Sequence, residues 1–250
     1  YEIPLRLVGS EMCIRDSTGI TADKRKYGFR RAFTFRPQLL KGMLSISGWT
    51  MVQSFLSVSV WFIFFLAIEH LGERPLAVTN IVRNIAAMLI MIISAFATTA
   101  GALISNQIGA GEQRFLFKTC RMTLNLAYAL LIPLLIVLCL FPEPILRIFT
   151  DNPSLITASI PSVYVMATST LISAPAFILF NAVSGTGNTR AGFVMEMITL
   201  AVYTAAVYYG VIVLKPDVAL CWFSEHIYGI VLISLTWWYL KSGRWRGKKV

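Results

Sequence analysis

Charge is scarce in this chain. Only 14% of its 250 residues are Asp, Glu, Lys or Arg, where soluble domains carry about a quarter. That composition excludes an ordinary water-facing globule. Histidine occurs only twice, as His70 and His226, both toward one end of an apolar stretch, where a packed or interfacial role is the expectation. The four cysteines, Cys13, Cys120, Cys139 and Cys221, are scattered without a CxxC pair. Neither a metal site nor a disulfide framework follows from such spacing, and no cofactor is implied. There is no HExxH or GxSxG motif. Gly185, Thr186, Gly187, Asn188 and Thr189 lack the preceding strand and the Lys-Ser/Thr ending of a phosphate loop, and read as a tight turn. An intramembrane enzyme would need a nucleophile–base pair or a metal cluster at one depth, and the chain offers none.

Apolar residues are abundant instead. They make up 56% of the chain, and mean hydropathy is +0.69. They fall in six runs, at 43–68, 76–108, 124–141, 155–180, 191–214 and 218–240. A bilayer core about 30 Å thick takes roughly 20 helical residues to cross. Lipid offers the backbone no hydrogen-bond partners, so each crossing must be a helix. The fold class is therefore all-α integral membrane, with a six-helix membrane lobe over 43–240. The second run exceeds one crossing, and its 100–108 end is expected to project beyond the hydrocarbon.

The net charge of +10 raises the question of nucleic acid, and its placement answers it. Seven basic residues, Lys24 to Lys41, precede the first run. Arg114, Lys118 and Arg121 lie between runs two and three, Arg190 between four and five, and five more from Lys241 to Lys249 after the sixth. The opposite loops hold only Arg74, Arg147 and Lys215. Basic residues concentrate on the cytoplasmic side. The expectation is a multi-pass protein of a bacterial inner membrane with both ends cytoplasmic, surrounded by lipid and binding no nucleic acid. Residues 18–42 read as a basic linker and 241–250 as a basic tail. Residues 1–17 are not a signal peptide, having no apolar core before a small-residue cleavage site. Val8 to Ser17 resembles an in-frame translated sequencing adapter, so 1–17 is expected to be a non-native leader.

Charges inside the runs are costly and usually face an interior or a cavity. Arg83, Glu196 and Glu225 are such residues. At 1.5 Å per residue, Glu196 lies roughly 9 Å from the cytoplasmic edge, while Glu225 and Arg83 lie roughly 12 and 10 Å from the outer one. Arg83 and Glu225 are thus candidates for a buried ion pair or for a transport role. Glu196 has no charged residue at its depth. It is either a carboxyl exchanging a proton near neutral pH or one snorkelling to the edge. Gln53 and Ser57, Asn80 and Asn84, and Tyr203, about 20 Å in, add polar groups near mid-depth. Asn80, Arg83, Asn84 and Ala87 form one helical stripe. Pro133, Pro161 and Pro175 fall inside runs, where each removes a backbone hydrogen bond; they fit either moving parts or static packing.

Several segments are similar to the second half of a multidrug and toxic compound extrusion (MATE) transporter. They are Leu71 and Gly72, Ala77, Asn80 and Ile81, the stretch 100–106, Gly109 to Glu112, Ile148 to Asp151, 181–189, 222–225, and Gly243, Arg244 and Trp245. The resemblance is diffuse but ordered across residues 27–249. It implies twelve helices in two six-helix lobes around a central cavity, with an N-terminal six-helix lobe missing here. It also implies export of small organic cations or drugs in exchange for H+ or Na+. Some members carry an acid on the first helix of this lobe, where Ser57 stands, and an Asp on the fourth, where Ala174 and Pro175 stand. Many bacterial members hold their coupling carboxylate in the other lobe. Glu196, Glu225, Gln53, Asn84 and Tyr203 are therefore substrate or coupling-ion candidates on their own chemistry. Three alternatives stay open: a lipid-linked oligosaccharide flippase of the same superfamily, which needs a cationic cavity; an intramembrane enzyme, for which no catalytic group stands out; and a fragment inactive in transport when alone.

Overall fold

The computed structural model describes residues 37–214, 217–243 and 245, with side chains at 37, 44, 48 and from 51 onward. The expected leader (1–17), most of the basic linker, Lys215, Arg244 and the tail beyond Trp245 lie outside the described residues. The chain divides into two compact units, 1–45 and 46–250. The described part of the first is the opening of helix α1 from Pro37; the second holds the elements discussed below.

All described secondary structure is helical. The elements are α1 (Pro37–Glu69), α2 (Glu73–Gly109), a 3-10 turn (Gln113–Phe115), α3 (Leu116–Leu140), α4 (Pro142–Leu146), α5 (Pro153–Gly185), α6 (Thr189–Val207) with a π turn (Tyr208–Val213), α7 (Val218–Cys221) and α8 (Ser224–Ser242). Six segments are long and apolar enough to cross a membrane: Met51–Glu69, Glu73–Gly109, Gln113–Leu140, Pro153–Gly185, Thr189–Val213 and Val218–Ser242. The six apolar runs thus correspond to six helices, with one large shift. The third begins at Gln113 rather than 124, because Arg114, Lys118 and Arg121 ride on its first turns instead of in a loop.

Local chemistry sets the ends. Gly72 has φ +119° and separates α1 from α2, whose first turn carries Glu73, a favourable charge for a helix N-terminus. Pro153 opens α5, and the Asn152 side chain accepts from the Ser154 N–H. Asn188 caps α6 in the same way through Ala191 N–H. Near the Asn188 cap, Gly243 adopts φ +67° and stops α8, and the Trp245 indole N–H donates to the Leu240 carbonyl at 3.0 Å.

Packing follows from small residues. Lipid gives helices no hydrophobic reason to associate, so close backbone approach and interhelical hydrogen bonds do the work. Helices α2 and α5 make the most extensive contact in the lobe, through Ala97, Ala100 and Gly101 on one and Ala174, Ala182 and Gly185 on the other. A Cβ on Gly185 would collide with the Gly101 carbonyl. On α8, a Cβ on Gly229 would lie 2.7 Å from Ile172 Cγ2 of α5. Outward-facing Met51, Phe55, Met91 and Leu140 leave the lobe with an apolar exterior.

The prolines lie inside helices: Pro133 in α3, and Pro161 and Pro175 in α5. Pro175 has no N–H for the Leu171 carbonyl one turn earlier. Tyr128 on α3 supplies the replacement, its hydroxyl donating to Leu171 O at 2.8 Å.

These contacts make two predictions about stability. Gly185→Ala is expected to destabilise the lobe by about 1–3 kcal/mol, while Gly210→Ala, with open space around its Cβ, is expected to cost far less; thermal unfolding in detergent compares them. Tyr128→Phe is expected to cost about 0.5–1.5 kcal/mol. In a Pro175→Ala background that cost should vanish, because the substitution restores a backbone N–H to the Leu171 carbonyl; equal costs in both backgrounds would overturn the assignment.

Candidate functional site: a crossed tyrosine–carboxyl cluster

The two acidic residues embedded in the helices come together where α1, α6 and α8 meet. Glu196 and Tyr203 lie two turns apart on α6, and Glu225 and Tyr228 one turn apart on α8, each pair on one helix face. The helices run antiparallel, so the pairs cross. Tyr228 of α8 donates to Glu196 Oε1 on α6 at 2.9 Å, and Tyr203 of α6 donates to Glu225 Oε1 on α8 at 2.8 Å. The two tyrosine rings meet edge to face with centroids 5.9 Å apart. Helix α1 contributes Ser57, whose hydroxyl donates to Glu196 Oε1 at 2.9 Å. One turn further along α1, the Trp61 indole lies beside the Glu225 carboxyl.

Apolar packing holds the cluster. Phe64, Ala67 and Ile68 of α1 bury against Tyr203 and Val207 of α6, Val211 of the π turn and Cys221 of α7, with Tyr228 at the margin. Glu196 is 3% exposed and Tyr203 2%. Glu196 Oε1 receives both hydroxyls, while Oε2 is buried with no hydrogen-bond partner among the described residues. An unpartnered buried oxygen is expensive, and this one is the place in the cluster where a proton or a cation gains most. Among the described residues no Lys or Arg pairs with either carboxyl, and no three His, Cys, Asp or Glu residues are grouped to hold a metal ion.

Arg83 and Glu225, expected as a possible ion pair, take separate partners. The Arg83 guanidinium lies 4.9 Å over the Phe65 ring, and Glu225 takes Tyr203. Equal depth did not bring them together because depth says nothing about which way a helix face points. Glu196, expected to have no charged partner at its depth, is held by two neutral hydroxyl donors, Ser57 and Tyr228. Gln53 is half-buried on α1, and Asn84 is exposed on α2; neither joins the cluster. His226 Nε2 lies 2.9 Å from Thr168 Oγ1, its ring stacked on Phe223, and His70 is exposed with Nδ1 on the Leu66 carbonyl. Tyr228 is the cluster residue that sequence reasoning missed. Its one-turn spacing from Glu225 was the available clue.

A buried polar cluster at the meeting of three membrane helices is the candidate functional site of this lobe. A family model described as MatE matches residues 50–209, and the chain belongs to that family, whose members are transporters and not enzymes. Solved structures agree on the fold. A multidrug resistance MATE family transporter of the MOP superfamily, in an outward-facing conformation, superposes with TM-score 0.73 at 13% identity, covering 84% of this chain and 47% of its own. The Vibrio cholerae MATE transporter VcmN in its bent form gives TM-score 0.75 at 17% identity, with 84% and 48% covered. A MOP superfamily transporter from Pyrococcus furiosus, described as having a binding pocket of reverse polarity, gives 0.70 at 12%, with 80% and 44% covered. The chain thus spans about half the length of these twelve-helix transporters. No curated protein matches it.

The crossed bonds predict that Tyr228→Phe and Glu196→Leu are energetically coupled. A double-mutant cycle read by thermal unfolding should give a coupling of about 0.5–3 kcal/mol. Strict additivity would mean the two residues do not interact.

Proposed function

We propose that this chain is one lobe of a two-lobe antiporter that exports small organic cations or drugs in exchange for H+ or Na+, with Glu196 as its coupling group. The observation that carries the reading is the Glu196 carboxyl itself: buried, embedded in the span, held by two hydroxyls through one oxygen and open at the other. Family membership supports transport; the cluster supports coupling to an ion. A ligand drives alternating access only through different affinity for the inward and outward states. An ion joining Glu196 Oε2 provides such a difference if helix α1, which carries Ser57 and Trp61, sits differently against α6 and α8 in the two states. Tyr203 then belongs to the coupling cluster, and Gln53 and Asn84 remain for the substrate path.

A lipid-linked oligosaccharide flippase requires several cations facing a pyrophosphate. Arg83 is the single basic residue deep in this lobe and it covers Phe65, so the organic-cation reading is preferred. Transport is proposed to need a second six-helix lobe. The clustering of basic residues at one end of the helices supports a bacterial inner membrane with those ends in the cytoplasm.

The test is Glu196→Gln in the two-lobe transporter reconstituted in vesicles, with drug efflux measured under imposed pH or Na+ gradients. Gradient-driven efflux should fall about fivefold or more, the size of an ordinary coupling energy, and the gradient to which the wild type responds identifies the ion. Unchanged gradient dependence in Glu196→Gln would remove this residue from coupling.

A further inference from the structure

A second site lies where α3, α5 and α8 meet, and it shares no residue with the Glu196 cluster. It is a groove of about 430 Å3. Cys120, Pro175, Ile178 and Ile233 form apolar walls, and Arg121 is the one charged residue lining it. Phe117 and Trp237 also line it and meet edge to face, centroids 5.4 Å apart.

Basic residues predominate nearby, with the acidic Glu112 just ahead of the 3-10 turn. Lys118 and Arg114 precede Arg121 by one and two turns, their heads over the Phe115 ring, while Lys241 follows Trp237 by one turn of α8; all are exposed. Helices α3 and α5 contain no acidic residue, and the one on α8, Glu225, is at its opposite end. Side chains on a helix lean toward its N-terminus, and an Arg stem can run along apolar surface to bring its head to the interface. The stem of Arg121 therefore leaves α3 tilted toward the end that carries Lys118. Trp237, half exposed, suits the membrane–water boundary.

We propose that this groove seats one anionic phospholipid, its acyl chain between α3, α5 and α8 and its phosphate on Arg121. An apolar trough with Arg121 as the charged residue of its lining complements such a molecule: the acyl chain leaves no polar group unpaired, and guanidinium binds phosphate in bidentate fashion. A zwitterionic lipid fills the trough equally well but gains less at the mouth, where each basic residue contributes about 1 kcal/mol toward an anionic surface.

The experiment is quenching of Trp237 fluorescence, taken as the difference between wild type and Trp237→Phe, in phosphatidylcholine nanodiscs. Acyl-brominated phosphatidylglycerol is compared with acyl-brominated phosphatidylcholine at equal bromine content. Half-maximal quenching is expected at a mole fraction about fivefold lower for phosphatidylglycerol, with the difference lost in Arg121→Gln and kept in Arg121→Lys. Absence of any lipid preference in the wild type overturns the idea whatever the Arg121 variants do. Equal quenching by the two lipids would mean ordinary annular contact. Absence of Trp237-specific quenching by either would mean that protein covers the groove. A preference that survives Arg121→Gln would place the headgroup elsewhere. Each of these overturns the proposal.

Discussion

Hydrocarbon supplies no hydrogen-bond partner, and that constraint reaches from the backbone of this chain to single side chains. Helices satisfy the main chain locally. Hydroxyls within them fold back on carbonyls one turn earlier, as Thr123, Ser159, Thr170, Thr199 and Thr236 all do. Where a helix cannot satisfy itself, a neighbour must. The Leu171 carbonyl released by Pro175 finds Tyr128 on another helix, and the Glu196 carboxyl finds Ser57 and Tyr228 on two others. The same requirement that makes the crossings helical thus ties the helices to one another.

These ties are uneven, and the unevenness is informative. Helices α2 and α5 approach through glycine and alanine, with backbone against backbone at Gly101 and Gly185. Such a contact has little freedom to slide. Helix α1 meets α6 and α8 through side chains instead: Phe64 and Ile68 against Tyr203 and Val207, and Ser57 against Glu196. Hydroxyl–carboxyl bonds can break and re-form when a proton or ion arrives. Two long helices in close backbone contact therefore lie beside a helix that meets its neighbours through side chains, Ser57 on Glu196 among them.

Much of this was legible from residue order. Six apolar runs and their polar breaks correspond to the six helices, since length and hydropathy suffice when the solvent is lipid. The start of the third differs because Lys118 and Arg121 resemble loop residues, although a helix end at a membrane surface accommodates them. Counting along the helices puts Tyr203, about 20 Å from one edge of a 30 Å core, level with Glu225, about 12 Å from the other, and the two are hydrogen-bonded. Azimuth was the missing coordinate. Arg83, put at the height of Glu225 by the same count, faces Phe65, and Tyr228, one turn from Glu225, escaped notice because a tyrosine among apolar residues carries no charge to flag it.

Composition and hydropathy by themselves determined that this protein is an all-helical membrane lobe, which helices it has, and that Glu196 and Glu225 fall within its apolar spans. Those properties depend on transfer between water and lipid, which acts residue by residue along the chain. Only the tertiary structure decided that the two carboxyls share one cluster, that tyrosines cross between them, and that Arg83 stays out of it. Those outcomes depend on how each helix is rotated about its axis. That rotation is set by contacts such as Gly101 against Gly185, between residues 84 positions apart in the sequence.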